Sequence, residues 1–150
     1  MRCFEDFVTG DEHQLGQVAM TEEEIIGYAR QWDPMPFHID EAAASAGPFG
    51  KLVASGNHTT AHATRLYVSQ LLADSTCRGS YGLDEVRYLR PVFAGDVLAV
   101  RAEVEQAVGH PRRPDTGVVH LLVAAAGADG EDVLTLRTRV LVGRREAVAG

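Results

Sequence analysis

Cysteine is scarce in this chain. Cys3 and Cys77 are the only two, far apart and without CxxC spacing. Such usage argues against a disulfide scaffold or a structural zinc site; both read as reduced thiols, and a cytoplasmic location is expected. Long apolar runs are absent too, so no segment approaches the ~20 residues of a membrane span. The opening "MRCFEDFVTGDEHQ" puts acids where a signal peptide carries its apolar stretch. Basic charge is also short: 14 Lys and Arg face 21 Asp and Glu, a formal net charge of -7. A nucleic-acid role would want a basic patch, and none is visible. Repeats, low-complexity tracts and linkers are missing, and 150 residues fit one domain, 1–150, with a real core.

What is there falls into two halves. "TEEEIIGYARQW" opens with a capping box, Thr21 as N-cap and Glu24 three residues on. Ile25, Ala29 and Trp32 then recur at helical spacing, and Pro34 stops the helix near Asp33. Asp40 is positioned to cap a second, short helix. The stretch from Gly56 to Ala73 predicts the longest helix, rich in Thr and Ala at first and in Leu, Val and Tyr later. Such a helix suits an enclosed position. Afterwards the period changes to two. Leu98, Val100, Ala102 and Val104 alternate with polar partners, as do Leu134, Leu136, Val140 and Val142. "GLDEVRYLRPV" and "GVVHLLVAAA" add further strands, and Asp129-Gly130 marks a hairpin turn. With one N-terminal strand at roughly 13–20, the pattern is α+β: an antiparallel sheet with helices on one face.

"WDPMPFHID" (32–40) collects two prolines, two aspartates and a histidine. Asp33 and His38 are five apart, about 140° around a straight helix and on opposite faces of a strand. Only a bent backbone can make them converge. Each proline fixes its own φ and restricts the residue before it, so the pair supplies that bend. Further on, Ser55-Gly56 begins the long helix. First-turn N–H groups have no internal partner, and a glycine there lets a ligand oxygen approach. The positive helix end helps it act as an oxyanion donor. Capping by Ser55 or Asn57 is the plainer role of this segment. A carboxylate, an imidazole and a carbonyl-polarising amide are together what adding water across an α,β-unsaturated thioester requires.

The same stretches carry a family resemblance. "FEDFVTGD", "DPMPFHID", "GKLVASGNHT" and "GLDEVRYLRPVFAGD" come in the order of, and resemble, the motifs of the MaoC-like dehydratases, which include the (R)-specific enoyl-CoA hydratases. The resemblance implies a hotdog fold, a curved antiparallel sheet wrapped around a long central helix. It implies Asp33 and His38 as the catalytic pair and Gly56 as the oxyanion amide, with Ser55 beside it. Thr64 lies where related hydratases often have a serine hydroxyl. An acyl-CoA or acyl-carrier thioester is the implied substrate and a homodimer or dimer of dimers the implied assembly. The pattern departs from D-x-N-P-L-H at Met35 and Phe37, and Ser55 replaces the commoner histidine before the glycine.

Arg65, Arg87 and Arg90 are candidates for the phosphates of coenzyme A, against a plainer role in ion pairs. His58 and His62 share a helix face and could hold a metal with His38 or Asp33, but Thr59 stands where an HExxH motif needs glutamate. They are read as packing or hydrogen-bonding residues. No metal, nucleotide or redox cofactor is expected; coenzyme A belongs to the substrate. The alternatives are a catalytically silent acyl-binding or subunit-pairing module and an acyl-CoA thioesterase. The second is disfavoured because the helix from Gly56 to Ala73 has no Glu or Asp.

Overall fold

The computed structural model describes residues 1–146. A 3₁₀ turn at Phe4–Asp6 leads into β1 (Glu12–Ala19), followed by helices α1 (Glu22–Trp32), α2 (Pro36–Ile39), α3 (Glu41–Ala46) and α4 (Gly56–Tyr67). Four strands complete the chain: β2 (Cys77–Tyr88), β3 (Val97–Gly109), β4 (Thr116–Ala126) and β5 (Asp132–Gly143). They form one antiparallel sheet in the order β1-β3-β4-β5-β2. The α+β expectation holds.

Alternation explains the sheet's inner face. Leu98, Val100, Ala102 and Val104 of β3 are buried, and so are Val119, Leu121, Val123 and Ala125 of β4 and Leu134, Leu136 and Val140 of β5. They pack with Ile25 of α1 and with Ala63, Leu66 and Tyr67 of α4 in one core. Across the strands run ion pairs. Arg101 binds Asp132, and Arg137 reaches both Glu105 and Glu85. Exposed pairs of this kind contribute little each, about 0–1 kcal/mol. Among the described residues no helix is long and apolar enough to cross a membrane.

Several local expectations change. Trp32 is 64% exposed, so the apolar face of α1 rests on Ile25 and Ala29. The capping box is half closed: Thr21 Oγ1 accepts the Glu24 amide at 3.2 Å, but the Glu24 carboxylate turns towards His62. The long helix is α only to Tyr67 and continues as a π turn over Val68–Leu72, where the Ala73 amide reaches the Val68 carbonyl. The sheet packs against Ala63, Leu66 and Tyr67 of this helix, while Asn57, Ala61, Arg65 and Val68 form an exposed stripe on its other side. The strand before "GLDEVRY" starts earlier than its pattern suggests, at Cys77. Bulges interrupt it three times, with Gly79, Gly82 and Glu85 at positive φ.

Candidate active site

α1 ends where Pro34 forbids its continuation, and Asp33 is its C-cap. Pro36 then starts α2 at its first helical position, where a missing N–H costs nothing. His38 lies in that single turn and is buried. This break between two helices brings the pair together: His38 Nε2 stands 3.5 Å from Asp33 Oδ2. The other ring nitrogen, Nδ1, is 2.6 Å from the Val53 carbonyl oxygen. A carbonyl only accepts, so Nδ1 carries a proton there, and Nε2 is the ring nitrogen that faces Asp33.

The carbonyl is itself held in place. The Val53 amide donates to the Phe37 carbonyl, the Ala54 amide to the Val92 carbonyl, and Val53 bridges Phe93. Two residues later the chain turns into α4. Ser55 is 1% exposed and acts on both sides. Its Oγ accepts the Asn57 amide at 3.2 Å as N-cap and donates to Asp33 Oδ2 at 2.7 Å. The Ser55 carbonyl takes the amides of His58 and Thr59. Of the first-turn amides, Gly56 alone has no acceptor among the described residues.

Asp33, His38, Ser55 and Gly56 are thus brought together. His38 and Gly56 line an apolar cavity of about 360 Å³ whose walls include Phe37, Phe49, Val92 and Val133. Thr64 is not among them; it lies two turns along α4, beside Tyr67. Arg90 stands at the cavity rim, but Asp129 grips its guanidinium with bonds of 2.7 and 3.0 Å, and the Glu131 carbonyl takes a third. Arg87 is exposed on β2 and makes no ion pair among the described residues, and neither does Arg65.

Three residues at the site carried no sequence signal. Val53 contributes only its backbone. Thr59 is buried in the cavity wall. Tyr88 covers Gly56 so closely that a Cβ there would come within 2.5–2.7 Å of its ring. Its hydroxyl donates to Asn57 Oδ1 at 3.1 Å. Burial, then the nearby Tyr88 and Asp33, push the phenol of Tyr28 up from its ordinary value.

Comparison with known proteins agrees with this architecture. The MaoC like domain model matches residues 7–126. The crystal structure of the MaoC-like dehydratase from Rhodospirillum rubrum superposes with a TM-score of 0.88 at 33% identity, covering 97% of this chain and 99% of that one. The chain is 34% identical over 107 residues to 3-hydroxyacyl-thioester dehydratase Z of Mycobacterium tuberculosis, spanning 63% of this chain and 68% of that protein. It is 26% identical over 140 residues to Uncharacterized protein YdeM of Bacillus subtilis, spanning 89% of this chain and 98% of the relative. The helix-filled antiparallel sheet is the hotdog fold, and the chain belongs to the MaoC-like dehydratase family.

Proposed function

We propose that this protein adds water reversibly to a 2-enoyl thioester, giving the (R)-3-hydroxyacyl thioester, with Asp33 and His38 as the catalytic pair. The observation that carries the reading is the contact of His38 Nδ1 with the Val53 carbonyl, which leaves Nε2 facing Asp33. With Nδ1–H given to Val53, the Nε2 of that tautomer is an acceptor 3.5 Å from Asp33 Oδ2, which takes the Ser55 hydroxyl and keeps a second lone pair. A water molecule satisfies both by donating one hydrogen to each, which aims an oxygen lone pair at the cavity. Its oxygen attacks C3 of the enoyl group while an O–H bond breaks towards the pair. The π electrons move onto the thioester oxygen, where the free Gly56 amide receives the charge. Collapse of this enolate takes the proton back from the pair at C2, so nothing is left over and no co-reactant is needed. The two groups act as one coupled unit.

The apolar cavity suits an acyl chain, whether coenzyme A or a carrier protein bears it. Arg87 is placed on the open surface of β2, where it could meet a phosphate; Arg90 would first have to leave Asp129. Ser55 positions Asp33. The relative named a 3-hydroxyacyl-thioester dehydratase supports this substrate class. A homodimer or dimer of dimers is the assembly that fits, because β2 is a sheet edge with Tyr81, Leu83 and Val86 exposed. Free thiols at Cys3 and Cys77 fit the cytoplasm. One domain, 1–150, carries the activity.

The test is hydration of enoyl thioesters of graded chain length, followed by absorbance. Asp33→Asn and His38→Ala should each lower kcat about 10²–10⁴-fold with the fold kept by circular dichroism. Near-normal turnover by either variant would remove the mechanism. No turnover by the wild type on any thioester, with saturable binding of the same compounds, would favour the silent acyl-binding module.

A further inference from the structure

Away from the cavity chemistry, α1 and α4 bring three metal-ligand side chains together. His62 Nε2 lies 3.0 Å from His58 Nε2 and 3.9 Å from Glu24 Oε2. The ligand atoms of the three residues all fall within 4.8 Å of one another. We propose that Glu24, His58 and His62 form a binding site for one zinc-class divalent cation that ties α1 to α4.

Four features support it. The geometry is the first: zinc bonds of ~2.0–2.1 Å in a tetrahedral array set neighbouring ligand atoms about 3.3 Å apart, and 3.0 and 3.9 Å bracket that spacing. The third ligand comes from α1, replacing the His38 or Asp33 considered from the sequence. Glu24 is the second feature. It follows Thr21 at capping-box spacing, yet its carboxylate leaves the helix end and points at His62. Third, the two imidazoles are held side by side, ring centroids 4.7 Å apart. The Tyr28 ring, stacked on His58 at 4.7 Å and 11°, fixes its plane. Fourth, Glu24 is exposed, which leaves a water-accessible coordination position. Arg65, one turn from His62, is exposed.

A hydrogen bond between the two rings would explain their 3.0 Å approach but not the Glu24 carboxylate 3.9 Å from His62. The cation would act structurally. α1 ends at Asp33 and α4 starts after Ser55, already joined by a 2.7 Å hydrogen bond, and the metal would add a second tie between the same helices.

The experiment uses the tag-free full chain after chelator treatment and dialysis. Zinc chloride is titrated by calorimetry, and melting temperature is recorded with and without the metal. One zinc should bind per chain and raise the melting temperature by several degrees. Cobalt in its place should show the visible absorption of a four-coordinate site. His62→Gln and the surface change Glu24→Gln should each weaken binding at least about tenfold. His110→Gln, outside the cluster, should leave it unchanged. Absence of saturable one-to-one binding overturns the proposal, and so does unchanged affinity in Glu24→Gln.

Discussion

Ser55 gives its hydroxyl proton to Asp33 Oδ2 at 2.7 Å while receiving the amide of Asn57 at 3.2 Å. One side chain therefore caps α4 and orients the acid at the end of α1. Ser55→Ala should lose the cap, about 0.5–2 kcal/mol of stability by denaturant titration. It should also lower kcat for enoyl-thioester hydration about tenfold or more, because Asp33 is then free to rotate. Ser55→Thr, which caps and donates in the same way, should recover most of both. A kcat unchanged in Ser55→Ala would mean that Asp33 needs no support.

Gly56 carries the open amide, and Tyr88 lies against it. In Gly56→Ala the new methyl meets the tyrosine ring at 2.5–2.7 Å, so the ring must swing aside. kcat should fall more than KM rises, since the amide acts on charge that develops only in the transition state. Adding Tyr88→Ala to the same chain should restore part of the loss. Equal falls in the single and double variants would show that the methyl, not the ring, blocks the carbonyl.

Phe37 and Phe49 pack edge to face at 5.6 Å in the cavity wall. Phe49 is the more exposed of the two, so trimming it costs little stability. Phe49→Ala should shift kcat/KM towards longer acyl chains, measured as a ratio across a thioester series. An unchanged ratio would place the acyl chain elsewhere.

Gly117 of β4 has the aromatic ring of Phe4 where a side chain would stand. Gly117→Ala should push Phe4 out of the core and destabilise the fold by roughly 1–3 kcal/mol, read from the urea midpoint. Phe4→Leu in the same chain should relieve part of that cost.

Much of this was legible in the sequence because its causes are local. Two prolines bend the chain between Asp33 and His38, and period-two alternation marks β3 and β5. What was not legible depends on distant partners. No pattern marks the Val53 carbonyl as the group that sets the His38 tautomer. Tyr88 reaches Gly56 only after β2 has joined the sheet. β2 itself lacks alternation because three bulges and glycines at positive φ break its pleat, so Cys77–Tyr81 gave no strand signal. Arg90 looked like a phosphate ligand, but the β4–β5 turn supplies Asp129 as its counter-ion. Trp32 fits a helical stripe by spacing, yet it is the last residue of α1 and stands exposed beyond the core.

The carbonyl of Val53 is fixed by Phe37, Val92 and Phe93, which arrive from both halves of the chain. A refolding molecule could acquire all its secondary structure and still leave the His38 imidazole free to hold its proton on either nitrogen. Catalytic competence would then trail the recovery of circular dichroism, and turnover during renaturation would serve as a gauge of when that last segment docks.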